Sequence, residues 1–290
     1  MILRSKLLLL GALVLIGTGF FLVFRTPALA PIRETDSIVP RAATEIPWVR
    51  DEPVSKKELK VQPDPVTYDY FEVIDSCGVD HEGACVVARS GAGTTSAVVA
   101  KLRTGVVLRV RETVSVDGQD WYKVAFDDWV RYPERVTGDW YVSAKVVRPF
   151  RAVGNQEFIP GVSTATAKRI VVDRSSQMLY AYNGDTLFME QSISTGLALS
   201  PTPRGNFTVY KKTPSRYMQG PLPGISDQYY DLPGVPWNLY FTLEGGVIHG
   251  AYWHNNFGKL WSHGCVNLPP SEAQKLYEWA DVGTSVLVRD

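Results

Sequence analysis

The chain has 290 residues, 45% of them hydrophobic and 21% charged, with 30 Lys and Arg balancing 30 Asp and Glu to a net charge of zero. That composition is ordinary for a globular protein. Zero net charge removes the long-range attraction on which binding to nucleic acid or to an acidic surface draws, so no nucleic-acid partner is expected.

Arg4 and Lys6 precede residues 7–24, an uncharged run of 18 residues (LLLLGALVLIGTGFFLVF) closed by Arg25. The run reaches the lower end of what spans a bilayer. Basic residues ahead of it favour a cytoplasmic N-terminus and export of the residues beyond the run. Ala28-Leu29-Ala30 has the form of a cleavage site, but Pro31 opposes cleavage and the run is long for a signal-peptide core. Residues 1–30 are therefore read as a membrane anchor, in preference to a cleaved signal segment, with residues 7–24 in the cytoplasmic membrane. In either case the rest of the chain lies in the cell envelope, outside that membrane, and its length suits two modest domains.

Residues 31–65 hold six prolines and mixed charge without an apolar period, the composition of an extended linker. Residues 66–150 alternate short β-rich runs with turn residues. Strands are expected at 106–116 and 121–126, joined through Asp117-Gly118, a strong hairpin signal. Many short strands so punctuated suggest a small barrel. Val87-Ala88-Arg89-Ser90-Gly91-Ala92-Gly93, with Leu102, Gly105, Leu108 and Val110 after it, resembles the bacterial SH3-like module, which implies either a wall-binding unit or a spacer. The run DDWVRYPERVTGD fits nowhere in that pattern.

Residues 165–290 are also β-rich. Strands are expected at 169–173, 178–182 and 186–193, the latter two joined at Asn183-Gly184, and again at 206–211, 239–243, 247–249 and 285–288. One helix is expected, with Ser271 and Gln274 as a capping box and Ala273, Leu276, Tyr277 and Ala280 as its apolar stripe, ended by Gly283. Residues 213–237, rich in Pro and Tyr, read as a long irregular segment of the kind that forms an active-site lid. The fold class is mainly β.

The chain has three cysteines. Cys77 and Cys85 are close enough to pair, with both free and buried as the alternative, and Cys265 is left over. An odd thiol in an exported chain calls for an explanation. Cys265 shares 17 residues with three of the four histidines, His249, His254 and His263. A histidine within reach can take the thiol proton and hold the thiolate as an ion pair. Gly264 permits a tight turn that aims backbone N–H groups at one point, as an oxyanion hole requires. These residue types suit nucleophilic acyl transfer. An inert core thiol, a metal site built from the same four residues, and histidines that face apart are the competing readings.

Ile248-His249-Gly250, then thirteen residues between His249 and His263, then Ser262-His263-Gly264-Cys265-Val266-Asn267 closely resemble the signature of the L,D-transpeptidases of the YkuD type. Ile170-Val171-Val172-Asp173 with Gln177, Ser194-Thr195-Gly196 and Thr202-Pro203-Arg204-Gly205-Asn206-Phe207 agree with it. The resemblance implies a mostly β catalytic domain over 165–290, with Cys265 as nucleophile, His249 as general base, and the backbone of His263 and Gly264 at the oxyanion hole. Ser262 and Asn267 would fix the turn or contact substrate, Tyr252 and Trp253, in the gap, would contact substrate, and His254 beside them is read as substrate-contacting or structural and not as the base. Relatives often carry Ser or Thr after the first histidine. Gly250 stands there instead, so a backbone carbonyl would have to orient His249. The implied partner is a peptidoglycan stem peptide and the implied reaction is cross-linking through a thioester with loss of terminal D-alanine, with no cofactor or metal. Net hydrolysis by the same thioester, or a silent wall-binding scaffold, are the alternatives.

Overall fold

A computed structural model of the protein describes residues 64–126, 130–159 and 166–290. The expected anchor, and all of the linker before residue 64, lie outside the described residues. Among those described, no helix is long and apolar enough to cross a membrane.

The first seven strands are β1 (Thr67–Glu72), β2 (Val86–Arg89), β3 (Val98–Leu102), β4 (Val107–Val116), β5 (Gln119–Ala125), β6 (Tyr141–Ser143) and β7 (Arg148–Val153). They form one sheet in the order β3-β2-β6-β5-β4-β1-β7. β4 and β5 meet at Asp117 (φ 52°) and Gly118 (φ 72°), both left-handed as a type I′ turn demands. Cys77 and Cys85 form a disulfide, and Cys265 is the free thiol. Between β5 and β6 the run that fits no SH3-like pattern carries a single 3-10 turn, Pro133–Arg135.

The rest of the chain adds β8 (Gln156–Glu157), β9 (Lys168–Asp173), β10 (Met178–Asn183), β11 (Thr186–Ser192), β12 (Gly205–Thr208), β13 (Lys211–Leu222), β14 (Ser226–Tyr240), β15 (Val247–Gly250), β16 (Val266–Leu268), α1 (Pro270–Trp279) and β17 (Ser285–Arg289). They make two five-stranded sheets, β11-β10-β9-β17-β12 and β16-β15-β14-β13-β8. The protein is mainly β, with α1, near the C-terminus, the one α-helix among the described residues.

Two expectations are corrected. Residues 213–237 are not irregular: they belong to a long antiparallel hairpin, β13–β14, with register shifts between Arg216 and Met218 and between Gly220 and Leu222. Ser271 does not cap α1. The N-cap is Pro269, with no side-chain cap bond, and Gln274 reaches forward to Glu278 (2.9 Å). Consecutive prolines decide this start, because Pro270 at the first helical position has its φ preset and lacks the N–H that a cap would satisfy. The other end of α1 is closed from outside. Lys212 of β13, buried, donates to Tyr277 O (2.8 Å) and to Ala280 O. A cation there complements the helix dipole, and its burial pushes the Lys212 pKa down to about 8.

Ile170 and Val172 of β9, Leu179 of β10, Leu239 of β14, Ile248 of β15, Val266 and Leu268 of β16, Leu276 of α1 and Val286 of β17 bury into one core. Each such side chain contributes about 1.5–3 kcal/mol through burial. Tyr70 of β1 and Val107 of β4 enter the same core, and Tyr217, Val235 and Tyr252 enter a second one with Phe71, Val106 and Leu108. The first sheet and the β13–β14 hairpin thus share both cores. Ser215 Oγ, donating to Val107 O (2.6 Å), also joins them.

Candidate active site

β15 and β16 run parallel, with Ile248 opposite Val266 and His249 opposite Asn267. That register sets Cys265 at the mouth of β16, beside the strand that carries His249. Asn267 is held from its other side as well: Ser194 N–H donates to Asn267 O (3.0 Å) and Asn267 N–H to Ser194 O (2.8 Å). The Ser194-Thr195-Gly196 turn is in turn pinned by buried Gln177. Its Oε1 accepts from Thr195 N–H (2.8 Å) and its Nε2 donates to Thr195 Oγ1 (2.7 Å).

The turn before the nucleophile is closed by Ser262. Its Oγ accepts from Gly264 N–H (3.2 Å) and donates to Cys265 O (2.5 Å). Gly264 has φ +116°, a region that favours glycine, and a Cβ there would meet only Ser200 O at 3.6 Å. The glycine is required by the backbone angle rather than by lack of room.

Cys265 is half-buried and its Sγ lies 3.9 Å from Gly245 O. Burial raises the thiol pKa; a hydrogen bond from Val247 N–H and the Arg216 cation act the other way. His249 is fully buried and burial lowers its pKa to about 4, with Arg216 and His254 adding to the depression. Its Nδ1 is 3.0 Å from Gly250 O, the backbone carbonyl that must do the orienting when residue 250 has no hydroxyl. No β-carbon fits at position 250. It would lie 2.8 Å from Pro236 Cγ and 3.0 Å from Pro270 Cα. The Nε2 of His249 is 3.0 Å from Asn267 Nδ2, and Asn267 Oδ1 is 3.1 Å from His254 Nε2.

Cys265, His249, His263, Ser262, Asn267 and Trp253 line one cavity of about 450 Å³. The β13–β14 hairpin supplies its opposite wall through Met218, Leu222, Tyr230 and Leu232, and Arg131 reaches it from the stretch between β5 and β6. Tyr230 stacks on His263 (centroids 5.9 Å apart, 10° between planes), and burial with the nearby thiol pushes its pKa up to about 12. Tyr230 and Arg216 belong to the 213–237 segment expected over the site, but sequence reasoning missed Arg131, because long-range packing and not motif spacing brings it here. Tyr252, expected to contact substrate, and His254, expected to contact substrate or to be structural, are not among the residues that line the cavity. Tyr252 is buried with its hydroxyl donating to Pro233 O (2.7 Å), and His254 is buried within 5.0–6.1 Å of the rings of Trp253, Phe257 and Trp261. A larger groove of about 920 Å³, between β1 and the β13–β14 hairpin, is lined by neither Cys265 nor a histidine. Among the described residues no cluster of three His, Cys, Asp or Glu is placed to hold a metal ion.

The arrangement can transfer an acyl group: a thiol and an uncharged imidazole share one cavity that a peptide can enter. Residues 167–288 match the sequence model of the YkuD family, described as the L,D-transpeptidase catalytic domain. The chain is 29% identical over 174 residues to L,D-transpeptidase 1 of Mycobacterium tuberculosis, covering 54% of this chain and 68% of that protein. It is 31% identical over 105 residues to the putative L,D-transpeptidase YqjB of Bacillus subtilis, covering 34% and 58%. Among solved structures, the catalytic domain of an Enterococcus faecium L,D-transpeptidase is similar at 28% identity and a TM-score of 0.38, over 44% of this chain and 100% of that one. The match to the YkuD family model covers residues 167–288 and leaves the rest of the chain outside it.

Proposed function

We propose that the protein cross-links peptidoglycan by attack of Cys265 on the carbonyl of the third residue of a tetrapeptide stem. The carbon–sulfur bond forms as the bond to the terminal D-alanine nitrogen breaks. The thiol proton passes to His249 Nε2 and then to the departing amine. An amine from a neighbouring stem resolves the thioester and returns the enzyme. The developing oxyanion takes backbone N–H groups of the His263-Gly264-Cys265 turn, and Gly264 N–H must then yield its bond to Ser262 Oγ. The single observation that carries this reading is the free thiol and the uncharged, carbonyl-oriented imidazole in one cavity.

The same reading places residues 66–290 outside the cytoplasmic membrane, tethered through residues 7–24, with residues 66–150 as an SH3-like unit that holds the catalytic domain against the wall. Incubating the full chain with a tetrapeptide-stem muropeptide, beside Cys265→Ala, and tracking both by mass spectrometry tests it. Cys265-dependent cross-linked dimer is the expected result. D-alanine loss without dimer would make the protein an L,D-carboxypeptidase. With the thiol confirmed reduced, no adduct and no turnover would leave a wall-binding scaffold.

A further inference from the structure

Behind His249 runs a chain of hydrogen bonds whose polarity is set at both ends. Gly250 O has no proton to give, so His249 Nδ1, 3.0 Å away, must carry one, and Nε2 is bare. A bare Nε2 facing the amide of Asn267 at 3.0 Å accepts from it, so Nδ2 of the amide is the atom turned towards His249. Oδ1 then faces His254 Nε2 at 3.1 Å, which must be N–H. That leaves His254 Nδ1 bare, and it accepts from the backbone N–H of Asn256 at 3.1 Å. A carbonyl at one end and an amide N–H at the other permit only this direction. Asn256 is itself fixed, its carbonyl accepting from Ser194 Oγ (2.7 Å).

The backbone of Asn267 is clamped between β15 and Ser194, so the only freedom left in this residue is which way its amide points. His254 decides that. We propose that His254 is a positioning residue: by donating to Asn267 Oδ1 it locks the amide with its N–H towards His249, and so keeps Nε2 of the base unprotonated at rest, with the Asn267 N–H giving up the Nε2 lone pair as the thiol proton arrives. The use made of that bare nitrogen rests on the acyl transfer proposed above; the lock itself does not. The lock also serves the second half of the proton's path. Once Nε2 holds the thiol proton it faces an N–H, an arrangement that favours passing the proton on to the leaving amine.

Without the donor at position 254 the amide can turn over and present Oδ1 to Nε2. That contact is satisfied only by a protonated Nε2, and since Nδ1 already donates to Gly250 O, His249 then rests as imidazolium. The other titratable or charged groups that line the cavity with His249 are Arg216 and Tyr217 on β13, Tyr230 on β14, Glu244 and Arg131 at the cavity rim, and His263 and Cys265 in the turn before β16.

The test compares the full chain with His254→Leu, which removes both ring nitrogens, and His254→Gln, whose amide N–H can still donate. Nitrogen-15 NMR of labelled histidines reads the tautomer of each ring and the titration of His249. In the wild type, His254 should be the Nε2–H tautomer and His249 should titrate near 4. His254→Gln should keep that titration. His254→Leu should raise it by at least about one pH unit, a tenfold change in proton affinity, and slow acylation of Cys265 by a carbapenem about fivefold at pH 4, with little change at pH 7. Three results would each overturn the proposal: an Nδ1–H tautomer at His254, identical titration of His249 in all three proteins, or Gln behaving as Leu. The tautomer is read on the wild type, so it holds even if His254→Leu does not fold. Failure of the transpeptidase reading would show separately, as absence of Cys265-dependent D-alanine release with the NMR results intact.

Discussion

At the scale of single residues, the site departs from the thiolate–imidazolium pair that a cysteine and a nearby histidine suggest. Burial is the largest influence on both groups. It raises the Cys265 thiol and holds His249 down to about 4, while Arg216, the cation that could support a thiolate, also opposes an imidazolium. Burial prevails, and both groups rest uncharged near pH 7. With the thiol above its ordinary ~8.5, less than roughly 3% is thiolate at neutral pH. The consequence has a definite sign. Alkylation of Cys265 by iodoacetamide should climb tenfold per pH unit from pH 5 to 8, without a plateau, and an ion pair would give a plateau across that range. Peptide acyl transfer, which needs His249 neutral, should keep its activity down through pH 6 and lose it as the pH falls through about 4. A plateau in the alkylation profile would sink the neutral-pair account.

At the scale of elements, short-range signals were legible where local chemistry alone decides. Asp117-Gly118 made its hairpin, and the β-branched runs at β9 and β17 and the aromatic alternation at β10 made strands, because turn angle and alternation are set within a few residues. The β13–β14 hairpin was illegible because its prolines argue against strand. They sit where the ladder asks nothing of them. Pro233 and Pro221 fall at the two register shifts, and Pro236 lies beyond the stretch where β14 pairs with β15, at Leu239 and Tyr240. The α1 start failed for a related reason, since a capping pattern was legible but the proline pair ahead of it overrode the pattern. Gly234, with φ +65°, lets the hairpin lie against β4: a Cβ there would run into Val107 O and stand 2.8 Å from Val106 Cγ1. Gly234→Ala combines a strained φ with a backbone clash, and should cost about 2–4 kcal/mol, read as a Tm roughly 5–10 °C lower. Gly184→Ala is the control. It has φ +58° but nothing within 4 Å, and should cost about 1 kcal/mol. Equal losses in the two variants would mean that hairpin and sheet are not held apart by the missing side chain.

At the scale of the whole molecule, the meeting of His249 and Cys265 in one cavity was legible from one decapeptide and an upstream histidine, because both are set by the local register of β15 and β16. The segment that encloses them was legible as a lid but not as the β13–β14 hairpin, and what steadies that wall, from the stretch between β5 and β6, was not legible. Tyr132 N–H donates to Gln219 Oε1 (2.7 Å), Gln219 Nε2 returns a bond to Tyr132 O (3.2 Å), and Tyr132 OH donates to Pro221 O (2.8 Å). Arg135 donates to Gly220 O (2.5 Å), pairs with Asp231 (3.7 Å), and lies over the rings of Tyr132 and Tyr229 at 4.0 and 4.3 Å. A charged donor on a carbonyl contributes about 1.5–3 kcal/mol where water is partly excluded, and here it acts at the outer half of the hairpin, beyond Met218 and Leu232, which pack against the second core. Arg135→Ala should therefore loosen the wall without unfolding the protein. Amide hydrogen exchange should quicken across residues 216–232 as well as 131–139, while Tm falls by less than for Gly234→Ala. Carbapenem acylation of Cys265 should slow several-fold as the cavity loses its fixed wall. Exchange that quickens only within residues 131–139 would show the hairpin to be self-supporting, with the first sheet merely resting against it.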